Sequence, residues 1–64
     1  MIRLTPRETQ IRDLILSGLV HKEIAARLGI TAQTVQTHAS RLYRKYGVES
    51  RGKMVAKIAE ERRQ

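Results

Sequence analysis

The sequence predicts an all-α fold of four short helices, and three observations carry that prediction. Apolar residues recur three and four positions apart in four separate stretches, the spacing that puts them on one helix face. Between the stretches stand residues that start and stop helices: Thr5-Pro6, Thr31 and Ser50 as starts, Gly18, Gly29 and Gly47 as stops. No segment alternates apolar and polar residues long enough to make a strand.

The first helix is expected at about Pro6 to Ser17. Thr5 can cap it, Pro6 brings a preset φ to the first helical position, and Glu8 can reach back to complete a capping box. Ile11, Leu14 and Ile15 form its apolar stripe, and Gly18 ends it. Leu19 and Val20 read as buried connectors to a second helix, roughly Lys22 to Leu28.

Ile24, Ala25 and Leu28 lie at helical spacing on that second helix. Ala25 is small, as a close helix crossing requires, and Gly29 can take positive φ at no steric cost. Thr31 opens a third helix, about Ala32 to Tyr46, whose first buried residue is Val35; Ile30 and Val35 fill the corner between the two. Two helices joined by so short a Gly-containing turn make a helix-turn-helix, the motif that sets its second helix in the DNA major groove. Gly47 ends the third helix, and Val48 tucks into the core. Ser50 caps a fourth, roughly Arg51 to Arg62, with Met54, Val55 and Ile58 inward; Glu60 to Gln64 are expected to fray.

The third helix is sharply two-faced. At 100° per residue, Val35, Ala39, Leu42 and Tyr46 fall on one stripe. The opposite face carries Gln33, Gln36, Thr37, Ser40, Arg41 and Arg44, with Lys45 at its edge. Hydrogen-bonding side chains lie toward the N-terminus and cations toward the C-terminus. That order suits a helix that reads base edges near its start and grips phosphates near its end.

Composition points the same way. The formal net charge is +7 and the pI is near 10.9, a balance that attracts polyanions by counterion release. From Ile24 to Val48 there is no acidic residue, and the acids Glu8, Asp13, Glu23, Glu49, Glu60 and Glu61 all flank that window. The 64 residues make one small domain, 1–64, too short to add a sensory or catalytic unit. With no cysteine there is neither a disulfide nor a thiolate zinc site, which suits a reducing compartment. No apolar run reaches membrane-spanning length and no signal peptide is evident; a cytoplasmic, nucleoid-associated protein is expected.

LTPRE, Gly18, KEIAARLGI, the T-x-x-T-V-x-x-H run from Thr31 to His38, and KYGVESR together resemble the DNA-binding domain of the LuxR/FixJ (GerE-like) bacterial transcription regulators. The resemblance runs from about Leu4 to Ile58 and implies a tetrahelical helix-turn-helix. It implies base reading by Gln36, Thr37 and Ser40, and backbone contact by Thr34 and Lys45. His38 would sit at the edge of the groove-facing surface and is grouped, with Arg41 and Arg44, among the backbone contacts. The fourth helix commonly mediates dimerisation in this family. Its small outward residues Ala56 and Ala59 would permit a homodimer on double-stranded DNA, and RNA polymerase or another regulator are further candidate partners.

The chain departs from the family in three places. Gln36 stands where Lys or Arg is usual, and Gln suits the adenine edge where Arg or Lys suits guanine. Val20 and His21 replace a Ser-Asn type cap, so Glu23 is expected to lose its capping partner, at about 1 kcal/mol. Full-length members carry an upstream receiver or ligand-binding domain, whereas only Met1, Ile2 and Arg3 precede this bundle. The chain is thus read as either a free-standing small regulator or a cut-out domain.

Other chemistry finds little support. His21 and His38 have no clustered carboxylate for a metal, Ser40 near His38 lacks an orienting acid, and neither an enzyme nor a cofactor is expected. Tyr46 reads as core and Tyr43 as marginal, able to pack or to touch phosphate. Three competing readings remain. A sigma-factor region 4 or recombinase domain would need a longer chain and lacks the LTPRE opening. A protein-interaction module that heterodimerises with or antagonises a larger regulator has no need of Arg41, Arg44 and Lys45 beside Gln36 and Ser40. Membrane-surface binding is disfavoured by a narrow apolar stripe without Trp or Phe.

Overall fold

The computed structural model describes residues 2–63; Met1 and Gln64, the ends of the expected domain and of its expected frayed terminus, lie outside it. Four helices are present: α1 Pro6–Leu16, α2 His21–Leu28, α3 Ala32–Lys45 and α4 Arg51–Arg62. No strand occurs among the described residues. Helices α1 and α3 each meet all three others, whereas α2 and α4 do not meet. The α1–α3 pair forms the centre of the bundle, and the exposed face of α3 is supported from behind by the other three helices.

Each helix begins where a local donor is satisfied. Thr5 is extended (φ −70°, ψ 162°), its Oγ1 accepts from the Glu8 N–H at 3.1 Å, and Glu8 Oε1 accepts from the Thr5 N–H at 2.8 Å. Thr31 Oγ1 accepts from the Thr34 N–H at 3.1 Å, and Ser50 Oγ from the Lys53 N–H at 3.3 Å. The start of α2 corrects two expectations. Glu23 keeps half of its box, since its Oε1 accepts from the Val20 main-chain N–H at 2.9 Å. Only the reciprocal bond is missing, because a valine side chain has no acceptor. Val20 itself is not buried: it is 54 % exposed. Its backbone is extended, so successive side chains point to opposite sides; Leu19 takes the inward place and Val20 faces water.

The turn between α2 and α3 works as Gly29 allows. Gly29 sits in the left-handed region (φ 68°, ψ 34°), and the Ile30 N–H closes on the Ala25 carbonyl at 3.0 Å. Behind the turn lies a core of Ile11, Ile15, Ile24, Ala25, Val35, Ala39, Leu42, Tyr46, Met54 and Ile58, with Leu14, Leu28, Ile30, Val48 and Val55 packed around it. Every helix contributes, so no pair of helices closes the core alone.

Helix α4 also supplies two cations to the ends of other helices. The Arg51 guanidinium donates to the Leu19 carbonyl and, at 3.3 Å, to the Ile15 carbonyl at the end of α1. Lys57 Nζ donates to the Tyr46 carbonyl at 2.7 Å, at the end of α3. Positive charge there satisfies carbonyls the helix leaves open and opposes the negative end of its dipole. α4 stays helical as far as Arg62, and the Arg63 N–H bonds the Glu60 carbonyl at 3.2 Å.

Candidate nucleic-acid interface

The buried stripe of α3 fixes what its other side presents. Val35, Ala39 and Leu42 are fully buried and Tyr46 nearly so. The opposite side leaves Gln33, Gln36, Thr37, Ser40, Arg41 and Arg44 exposed together, and no acidic residue lies on the helix. All three base-reading candidates, Gln36, Thr37 and Ser40, therefore share one open face. The Thr37 hydroxyl donates to the Gln33 carbonyl at 3.1 Å, which leaves its lone pairs outward as acceptors. Thr34 is exposed, but its hydroxyl lies 2.9 Å from the Thr31 hydroxyl and belongs to the cap. His38 is half-buried at the margin of the face.

The cations divide into committed and free. Arg41 and Arg44 make no ion pair among the described residues. Lys45 is different. Its Nζ lies 2.7 Å from Glu8 Oε1 and 3.1 Å from the Arg3 carbonyl. Glu8 is only 3 % exposed, although it sits at the first turn of α1. The bond from Lys45, then that from the Thr5 N–H, hold its carboxyl below the usual carboxylate range, against the opposing effect of burial. Lys45 is thus shared between the bundle and its surroundings, with 38 % of its side chain exposed. Arg12 is also committed: it lies against the Tyr46 hydroxyl and bonds Asp13 at 2.9 Å, contacts that raise its pKa.

Tyr43, left open between packing and phosphate contact, packs against the core; burial pushes its hydroxyl pKa up, with nearby Arg51 pulling the other way. The chain reaches no metal-like cluster among its described residues, and no helix there is long and apolar enough to cross a membrane. On α4, Gly52, Ala56 and Ala59 are exposed on the side away from Met54 and Ile58.

Residues 3–59 match the family described as GerE, bacterial regulatory proteins, luxR family. The chain belongs to this luxR family. Individual relatives agree. The nitrate/nitrite response regulator NarL of Escherichia coli is 42% identical over 60 residues, which is 94% of this chain and 28% of that protein. The response regulator Rre1 of Synechocystis sp. is 45% identical over 51 residues, 80% of this chain and 22% of its own length. The transcriptional regulatory protein MctR of Rhizobium johnstonii is 51% identical over 45 residues, 70% of this chain and 21% of its own. The chain therefore spans between about a fifth and about three tenths of these luxR-family relatives.

Two features of the interface lay beyond sequence reading. The Glu8–Lys45 pair joins residues 37 apart. The cations Arg51 and Lys57, which look like surface charges in the sequence, serve α1 and α3. The only signal for the first was Glu8 itself, and its capping role already accounted for it.

Proposed function

We propose that residues 1–64 form one sequence-specific double-stranded DNA-binding domain of a transcription regulator. It acts in the cytoplasm at the nucleoid, by binding rather than by catalysis. The observation that carries this reading is the acid-free face of α3, where Arg41 and Arg44, without an ion pair among the described residues, stand beside exposed Gln36, Thr37 and Ser40. Helix α3 enters the major groove. Gln36, Thr37 and Ser40 meet base edges, and Arg41 and Arg44, with Thr34, His38 and Lys45 at the flank, meet the phosphates. A second copy joins through α4 at Ala56 and Ala59.

Duplex binding is expected to weaken steeply with salt. Arg44→Glu should weaken specific and random duplex alike and lower the salt slope by about 1. Arg44 is a cleaner position than Lys45, whose reversal would also set a second carboxylate against Glu8. Fluorescence anisotropy between low and high salt makes the measurement; affinity indifferent to salt would sink the reading and favour the protein-interaction module.

Base choice is tested at Gln36. Gln36→Ala should relax selectivity at one base pair, at a cost of about 1–3 kcal/mol, with random-duplex affinity little changed. Gln36→Arg should move that position toward guanine. Selection of bound sites from random duplexes reads both effects; an unchanged site preference in both variants would remove Gln36 from the reading set.

A further inference from the structure

We propose that Arg3 is a phosphate-contacting residue, carried to the DNA by the short arm just ahead of α1, which is pinned against the end of α3; the proposal rests on the DNA-binding reading above. Residues 2–4 alternate: Ile2 and Leu4 pack against the core, and Arg3 is exposed between them. The arm is held from the other side as well. Lys45 Nζ donates to the Arg3 main-chain carbonyl at 3.1 Å, across 42 residues of sequence. The Arg3 side chain therefore leaves the bundle at the C-terminal end of the recognition helix, beside Lys45.

Charge at that end is redistributed by the same contacts. Glu8 is nearly fully buried, and its Oε1 already takes the Lys45 ammonium at 2.7 Å and the Thr5 N–H at 2.8 Å. That carboxylate offsets much of the field of Lys45. Arg3 makes no ion pair among the described residues. Arg3 is thus a cation free of ion pairs among the described residues at this corner, and Lys45 acts mainly as the peg that holds the arm. On the helical wheel Lys45 shares the flank of α3 with Arg41 and Thr34, to one side of the base-reading centre. A helix in the major groove has phosphate backbones along its flanks, so a long cationic side chain at that flank meets phosphate rather than base edges. The guanidinium fork matches two phosphate oxygens.

Because Lys45 holds the arm by its carbonyl, changing the Arg3 side chain leaves the peg intact. The test compares wild type, Arg3→Ala and Arg3→Lys on one selected site and on random duplex, across a salt series, with melting followed by circular dichroism. Arg3→Ala is expected to melt like wild type, to bind both duplexes several-fold more weakly at low salt, and to lose about 1 from the salt slope. Arg3→Lys should keep the wild-type slope. Equal slopes for wild type and Arg3→Ala, with steep wild-type salt dependence, would overturn the assignment of Arg3 and leave the DNA reading standing. Wild-type binding without salt dependence would overturn both.

Discussion

Replacing Glu8 by alanine is expected to destabilise the domain by about 2–3 kcal/mol. The side chain accepts the Thr5 N–H in the capping box of α1, and the loss of such a cap costs about 1 kcal/mol. It also accepts from Lys45, a charge-assisted bond worth about 1.5–3 kcal/mol in general. The upper end does not apply, because the Lys45 side chain is 38 % exposed and its ammonium can turn to water once Glu8 is gone. A domain of this size has only about 3–10 kcal/mol in total, so the loss should appear as a fall of roughly 10–20 °C in Tm. The pH dependence follows from the lowered pKa. The ordinary value is 4.5 and the folded value lies below it. The contribution is therefore fully present above 4.5 and is lost as pH falls through the folded value. Wild type should lose stability in that acid window, and Glu8→Gln should lose less there while starting lower at neutral pH. Thermal melts at pH 7 and pH 3 make the comparison; a variant as stable as wild type at neutral pH would show that the pair adds nothing.

The same residue marks the boundary of what the sequence could tell. The four helices were legible because their signals are local. Thr5, Thr31 and Ser50 cap the helices as expected, and Gly29 and Gly47 take the positive φ expected of helix-ending glycines. The open face of α3 was legible for a similar reason: once Val35, Ala39 and Leu42 are buried, 100° per residue leaves Gln36, Thr37 and Ser40 outside. Tertiary pairings escaped. Glu8 and Lys45 each had a complete local explanation, one as a cap and one as a groove-edge cation, and nothing local joins residues 37 apart. Val20 misled because hydrophobicity suggested burial, whereas its extended backbone at the start of α2 turns the side chain to water and Leu19 inward. Of the boundaries, α2 begins one residue earlier than expected, and α1 and α3 end one residue sooner.

Ala59→Glu is expected to abolish cooperative binding to DNA that carries two half-sites. One recognition helix reaches only a few base pairs, too few to single out an operator, so two copies on related half-sites are needed. Helices α1 to α3 are committed to the core and to the exposed, acid-free face proposed to meet DNA. On α4, Met54 and Ile58 turn inward, while Gly52, Ala56 and Ala59 remain exposed on the far side. Small residues let two helices approach closely, and so limited a patch is expected to give only a weak dimer, formed on DNA. Linked binding of two copies commonly gains about 100-fold or more over one. Ala59→Glu should forfeit that gain on the double site and leave single half-site affinity nearly intact. Ala59→Arg separates bulk from charge. It blocks close approach equally, but its added positive charge favours DNA, so a loss of cooperativity in both variants assigns the effect to the helix contact. If both variants bound the two-half-site DNA as cooperatively as wild type, α4 would not be the dimer element, and exposed Ala56 and Ala59 would be there only as good helix formers on a solvated face.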